Sequence, residues 1–364
     1  MDIFFNTNPE FTQWIVDTGA LHETFVVIDV GVLGGESPRW QFLGDHLVVH
    51  GFDAIKEVID DLSAKNKASN KSYHWFAIGN EDGEREFFFN PDNPTSSSLE
   101  RGFNPSLQPR TVPVRRLDTL FGQGVIPNAD FIKIDVEGFE KGVLEGAAEL
   151  LAAGFLGVES ETSFSTSKTY PNTHFGLIQH VMLQHGMLVF DINFNRVPRA
   201  ACQEARSRRN LPLLPLQEAG KPATLNVLFC RDMTGELDDI LYYPKLPPKP
   251  SVDQILKTMS IYELHGLNDI AVDTAVKFAN ELGQRLDVER AVDLLCRRSN
   301  FVPELAERIS DLQRELARLA SERDQLFGER LALAEEVSQM RASTAWRMTA
   351  PLRSLVHRFR QTMR

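Results

Sequence analysis

A doubly wound α/β fold follows from three observations. Apolar runs of strand length alternate with segments of helical period as far as Arg231, the pattern of successive strand–helix units. The runs are rich in β-branched residues and nearly continuous, as in strands buried on both faces of a parallel sheet. Acids and glycines gather at their carboxyl ends, where open α/β sheets bind ligands.

In order, Pro9 to Leu21 carries Phe11, Trp14, Ile15 and Thr18 at helical spacing, a segment expected to pack on the domain edge. Phe25-Val-Val-Ile-Asp-Val30 is the first strand and Gly31-Val-Leu-Gly-Gly35 the turn after it. Asp29, Gly31 and Gly35 give acid-x-Gly-x-x-x-Gly, which differs from the G-x-G-x-x-G of dinucleotide enzymes. His46 to Asp53 is the second strand. Its terminal acid has the spacing of a carboxylate that accepts from ribose hydroxyls, and it can also cap the helix Ala54 to Ala64. Tyr73 to Gly79 reads as a third strand, and Asn80-Glu-Asp-Gly83 as a turn into Glu84 to Phe89, an antiparallel excursion. Asn93 to Ser98 is a hydroxyl-rich loop that either lies over a pocket or is a solvated linker.

Thr111 to Leu117 leads to the central strand, with Phe131, Ile132, Ile134 and Val136. Asp135 and Glu137 fall at its carboxyl end, where they serve a ligand or cap the next helix. Gly138 permits a turn, and Glu140 to Leu151 reads as one helix with Val143, Leu144, Ala147, Ala148 and Leu151 on a face. Gly154 to Glu161, a helix near Thr173 to His185, Gly186 to Asn193 and Ala223 to Arg231 complete the alternation. The basic stretch Arg199 to Arg209 reads as a loop that borders a substrate entrance or simply connects.

Composition narrows the function classes. The formal net charge of −11 over 364 residues argues against nucleic acid as a partner of the whole chain. Cys202, Cys230 and Cys296 are widely spaced and odd in number, which excludes a cysteine-rich zinc site or a disulfide framework. No apolar run reaches membrane-spanning length, and Met1-Asp-Ile-Phe-Phe-Asn lacks the basic start of a signal peptide, so a cytoplasmic location is expected.

Asp29-x-Gly-x-x-x-Gly35, Phe52-Asp53, Ala77-Ile-Gly79 with Asp82-Gly83, and above all Ile132-Lys-Ile-Asp-Val-Glu-Gly-Phe-Glu140 resemble the FkbM family of methyltransferases over roughly Phe25 to Arg231. The resemblance implies a Rossmann-like, seven-stranded, mainly parallel sheet. It also implies S-adenosylmethionine as cofactor and transfer of its methyl group to an oxygen, often a sugar hydroxyl. Asp29, Gly31, Gly34, Gly35, Asp53, Ala54, Ala77 and Ile78 are the implied cofactor contacts. Two positions depart from the family: Val32-Leu33 follow the first glycine where a small residue and Asn are usual, and Asp53-Ala54 stands in place of Glu-Pro.

Methyl transfer requires alignment of donor and acceptor and a destination for the acceptor's proton. Asp135, Glu137, Glu159 and Glu161 all sit at carboxyl ends of predicted strands, and any of them can take that proton or hold a divalent ion. A divalent metal is compatible with these acids, but no fixed-spacing ligand motif predicts one. His174 and His185 are weaker candidates for a base.

The sequence thus divides into an N-terminal helical segment (1–24), the methyltransferase-like domain (25–235), a proline-rich linker with a helical region (236–300), a coiled coil (301–342) and a basic amphipathic tail (343–364). Leu305, Leu312, Leu319, Leu326, Leu333 and Met340 occupy one heptad position, and Ile309, Leu316, Arg323, Arg330 and Val337 the other, which predicts a coiled-coil homodimer, the alternative being a long helix folded back on the enzyme domain. Beyond it come Arg341, Arg347, Arg353, Arg358, Arg360 and Arg364 with no acid, and Leu352, Leu355, Val356, Phe359 and Met363 on one helical face. That pattern suits an anionic membrane surface, and the Ser343-to-Arg353 segment resembles tails of bacterial cell-envelope glycosyltransferases. The expected function is O-methylation of a glycan or glycolipid acceptor at the inner face of the plasma membrane. The alternatives are a soluble natural-product-like acceptor, or a non-catalytic scaffold of an envelope assembly.

Overall fold

Every residue of strand β1 (Phe25–Val30) is buried, as its unbroken apolar character requires of a central strand. A computed structural model describes residues 6–66, 68, 70–101, 106–164, 173–214, 220–235 and 250–297. The coiled coil, the basic tail and most of the proline-rich linker lie outside the described residues.

The main sheet contains β1, β2 (Leu47–Asp53), β3 (Lys71–Trp75), β7 (Phe131–Ile134), β8 (Gly157–Ser163), β9 (Met187–Val197) and β10 (Lys221–Arg231). Its spatial order is β3-β2-β1-β7-β8-β10-β9. All neighbouring pairs are parallel except those made by β10, which runs antiparallel to both β8 and β9. The order reverses between β1 and β7, which opens a crevice beyond their carboxyl ends. A second sheet, β4-β6-β5, is formed by β4 (Ala77–Ile78), β5 (Gly83–Phe89) and β6 (Gln108–Arg115). This is the antiparallel excursion, since β5 pairs with β6 from Gly83↔Val114 to Phe89↔Gln108.

Three local expectations are corrected. The segment Tyr73–Gly79 is divided at Phe76, so that Lys71–Trp75 ends the main sheet and Ala77–Ile78 joins the second one. Periodicity alone cannot reveal a change of partner. Glu140–Leu151 is two helices, α4 (Glu140–Glu145) and α5 (Ala148–Ala152). At Gly146 a Cβ would stand 1.9 Å from the Gly79 carbonyl oxygen, and Asp118 accepts from the amides of Glu149 and Leu150 to start the new helix. Arg199–Arg209 contains α7 (Ala200–Ser207) rather than being loop throughout.

One face of the main sheet carries Phe25, Val27, Leu47, Val49 and Phe131, and the opposite face Val26, Ile28, Val30, Ile132 and Ile134. The second face packs on α3 (Leu117–Gly122), α4, α5 and α6 (Phe175–Gln184). The first face is covered by α1 (Glu10–Asp17) and by α8 (Val252–Leu264), α9 (Asn268–Lys277), α10 (Ala279–Leu282) and α11 (Val288–Cys296). Residues 1–24, 25–235 and 236–300, set apart by sequence pattern, therefore share one core in their described parts. Glu263 at the end of α8 accepts from the amides of Phe11 and Thr12 at 2.9 and 2.7 Å and from the Thr12 hydroxyl at 2.7 Å, capping α1. Lys257 reaches Asp130 at 3.1 Å just before β7. Among the described residues no helix is long and apolar enough to cross a membrane.

Candidate functional site

Paired residues in adjacent strands point to the same face, so register determines which side chains meet. On the first face one row reads Gly51, Asp29, Lys133, Glu159, through the pairs Asp29↔Gly51, Asp29↔Lys133 and Lys133↔Glu159. Lys133 Nζ stands 3.7 Å from Asp29 Oδ1 and 3.3 Å from Asp135 Oδ2. Burial opposes its charge, but Asp29, Asp135 and Glu159 overcome the penalty and hold the ammonium above the ordinary lysine range. Lys133 is the site residue that sequence reasoning missed. Its signal was a cation within an apolar strand and two residues ahead of an acid.

The crevice beyond β1 and β7 is a pocket lined by Gly31, Leu33, Asp53, Ala54, Phe76, Ala77, Ile78, Ser97, Lys133, Asp135 and Glu137, among others. The hydroxyl-rich loop does lie over it, with Pro94 and Thr95 also in the wall and the Ser98 hydroxyl donating to the Val136 carbonyl at 3.4 Å. Gly31 has φ +86, and a Cβ there would lie 1.9 Å from the Asp135 carbonyl oxygen, so the strands approach this closely only because position 31 is glycine. Asp53 Oδ1 accepts from the Ile55 amide at 2.8 Å. Burial pushes the Asp53 carboxyl up to about 6, against the pull of the Ile55 and Ala54 amides and Lys133. Asp53 therefore closes the turn ahead of α2 (Lys56–Lys65), whose N-cap is Ile55 rather than Asp53, while it also lines the pocket. Gly34 and Gly35 line a neighbouring recess with Glu36 and Leu62, while Asp29 is buried beneath, its carboxyl pushed up to about 7 by burial despite Lys133.

The candidate bases separate. Asp135, Glu137 and Glu161 come together, each offering an oxygen within 4.8 Å of the others. Glu137 has a left-handed backbone, φ 55, followed by Gly138 at φ 113, a turn that brings its carboxylate back over the strand end. Burial, with Glu161, Asp135 and Glu140 adding repulsion, pushes Glu137 up to about 8. Glu161 is pushed up to about 7 by burial and Asp135, against Thr224 and Lys133. An oxygen-only trio suits a shared proton or a hard divalent cation. Glu159 is a correction: Arg39 lies 3.3 Å and His265 Nε2 3.6 Å from its carboxylate. Burial opposes its ionisation, yet Arg39, His265 and Lys133 hold it down to about 2, which leaves it no basicity near neutrality. The partners that remove it come from a turn and a helix far away in sequence. His174 caps α6, accepting from the Gly176 amide at 3.2 Å, and does not line the pocket.

The pocket fits the donor that the sequence resemblance implies, with a carboxylate for ribose hydroxyls at Asp53 and apolar wall at Ala77, Ile78 and Phe76. Residues 38–175 match the family model described as the methyltransferase FkbM domain. Among solved structures, a methyltransferase FkbM from Methylobacillus flagellatus KT is 14% identical, with 60% of this chain and 47% of that chain covered and a TM-score of 0.33. This chain therefore spans about half the length of that protein. A precorrin-6y C5,15-methyltransferase from Geobacter metallireducens GS-15 is 12% identical over 61% of this chain and 87% of that one, with a TM-score of 0.30. For the Burkholderia thailandensis 1,6-didemethyltoxoflavin-N1-methyltransferase, solved with S-adenosylhomocysteine, the values are 11%, 62%, 78% and 0.29. No curated protein matches the chain. The match to the methyltransferase FkbM domain model thus extends over residues 38–175, a segment that contains β2 through β8 and the Asp135, Glu137 and Glu161 cluster.

Proposed function

We propose that the chain methylates a sugar hydroxyl of a cell-surface polysaccharide or glycolipid precursor. The observation that carries this reading is the meeting of Asp135, Glu137 and Glu161 beside the pocket that Asp53 lines. S-adenosylmethionine supplies an electrophilic methyl group when bound. The chain's own residues hold the acceptor oxygen in line and take its proton, which an alkyl hydroxyl does not give up at neutral pH without a nearby base. Comparison of surface-glycan methylation in cells with and without the protein tests the reading. A methylated sugar that disappears with the protein supports it. Unchanged glycans with intact donor binding favour a soluble acceptor, and loss of donor binding altogether favours a scaffold.

Asp53→Ala is expected to weaken S-adenosylmethionine binding by about 1 to 3 kcal/mol, the scale of a hydrogen bond to a charged group, as read by isothermal titration. Unchanged affinity assigns the ribose to another residue.

The tail provides the membrane part of the proposal. Removal of residues 341–364 deletes the arginine-rich, apolar-faced end and leaves every pocket residue, so activity on a short soluble acceptor survives. Full-length protein sediments with vesicles containing anionic lipid, less so as salt rises, and the truncated form does not. Failure of the full-length protein to sediment at low salt makes the tail a docking segment for protein instead.

A further inference from the structure

The acid cluster continues into a polar platform on the sheet. Glu161 pairs with Asn226, and Asn226 with Asn193. In the next row toward the carboxyl end of β8, Ser163 pairs with Thr224, and Thr224 with Asn195. By register all six lie on the first face, the one that bears Asp29, Lys133 and Glu159. All six are half-buried, whereas Thr162, Leu225 and Val227 on the other face of β8 and β10 are buried in or against the core. The Asn195 amide donates to the Thr224 hydroxyl at 3.1 Å and the Ser163 hydroxyl to the Ala223 carbonyl at 3.2 Å, so the grid is ordered.

Asparagine is depleted in strands, where its side chain neither packs well nor favours extended backbone. Three of them at alternate or paired positions of β9 and β10 set local propensity against the fold, the kind of conflict that marks a functional surface. With about 4.8 Å between strands and about 6.7 Å between alternate residues, the grid measures about 10 by 7 Å, roughly one monosaccharide. Amides and hydroxyls offer donors and acceptors together, as vicinal hydroxyls require. An apolar acceptor requires a wall of hydrocarbon instead.

We propose that Asn193, Asn226, Asn195 and Thr224 form the acceptor subsite and bind a polyhydroxylated sugar ring, with Glu161 at the boundary where the hydroxyl to be methylated meets the acid cluster. The inference rests on the sugar-methyltransferase reading and adds residues that select the acceptor without touching the donor.

Saturation-transfer NMR on protein saturated with S-adenosylhomocysteine tests it, with glucose, galactose, mannose, rhamnose and N-acetylglucosamine as probes. At least one sugar is expected to receive saturation from the wild type. Asn193→Leu and Asn226→Leu are expected to weaken that sugar at least tenfold while S-adenosylhomocysteine affinity, measured by titration, stays within twofold and reports that each variant is folded. Asn195→Leu, nearer the outer end of the sheet, provides a second measurement should either fail to fold. Sugar binding that is unchanged in the folded variants overturns the platform and leaves the sugar reading standing. Absence of binding by every sugar to the wild type overturns both.

Discussion

Asp135→Asn is expected to lower methyl transfer at saturating acceptor by about 100-fold or more while S-adenosylmethionine affinity stays within a few-fold. The substitution keeps shape and removes basicity. Asp135 is the member of the trio held 3.3 Å from Lys133, a contact that fixes the orientation of its carboxylate toward the pocket that it lines. Of its companions Glu137, pushed up to about 8, holds its proton at neutrality, and Glu161, at about 7, is part-protonated there. A carboxyl raised in this way is protonated below its pKa and basic above it, and the three acids share one cluster, so the wild-type rate should climb between about pH 6 and 8.5 as Glu137 and Glu161 lose their protons and the cluster gains room for the one that Asp135 takes from the acceptor. Steady-state rates of both proteins across that range provide the measurement. Retained turnover in Asp135→Asn moves the base to Glu137 or Glu161, and a rate that falls across the range contradicts the trio as base altogether.

Lys133→Met is expected to destabilise the fold by about 3 kcal/mol, the low end for removing one partner of a buried charge network. Lys133 is the cation shared by Asp29 and Asp135 and felt by Glu159. Its removal leaves Asp29, 1% exposed, without a counter-charge. Asp29 limits the loss because its carboxyl already lies at about 7 and can take a proton, whereas Glu159 keeps Arg39. Denaturant unfolding reads the effect as a lower midpoint at constant slope. A midpoint equal to wild type means that the row is solvated enough to do without its cation.

Much of this protein was legible in its residues. The runs at Phe25–Val30 and Phe131–Ile134 mark strands buried on both sides, the helical period of 9–21 marks α1, and Gly138 marks the turn beyond β7. Asp53 was readable as a pocket acid from its place at the end of the second strand, but the helix after it is capped at Ile55, and Asp53 closes the intervening turn instead. The division of Tyr73–Gly79 was not readable, because β4 leaves the main sheet for a partner, β6, more than thirty residues on. Nor was the break after Gly146, where Ala147 leaves helical geometry and Asp118, some thirty residues earlier, accepts from the first amides of α5.

The same distinction separates the four acids proposed as bases. The sequence by itself determined that Asp135 and Glu137 follow the end of a buried strand, since strand length and side-chain alternation depend on neighbours one and two residues away, whereas Glu159 and Glu161, expected at a strand end, lie within β8. Tertiary structure alone decided that Arg39 pairs with Glu159, that Lys133 serves Asp135, and that Glu137 and Glu161 share one low-dielectric cluster with it. Charge state follows burial and the nearest opposite charge. Both depend on register between segments tens to hundreds of residues apart, which no local pattern encodes.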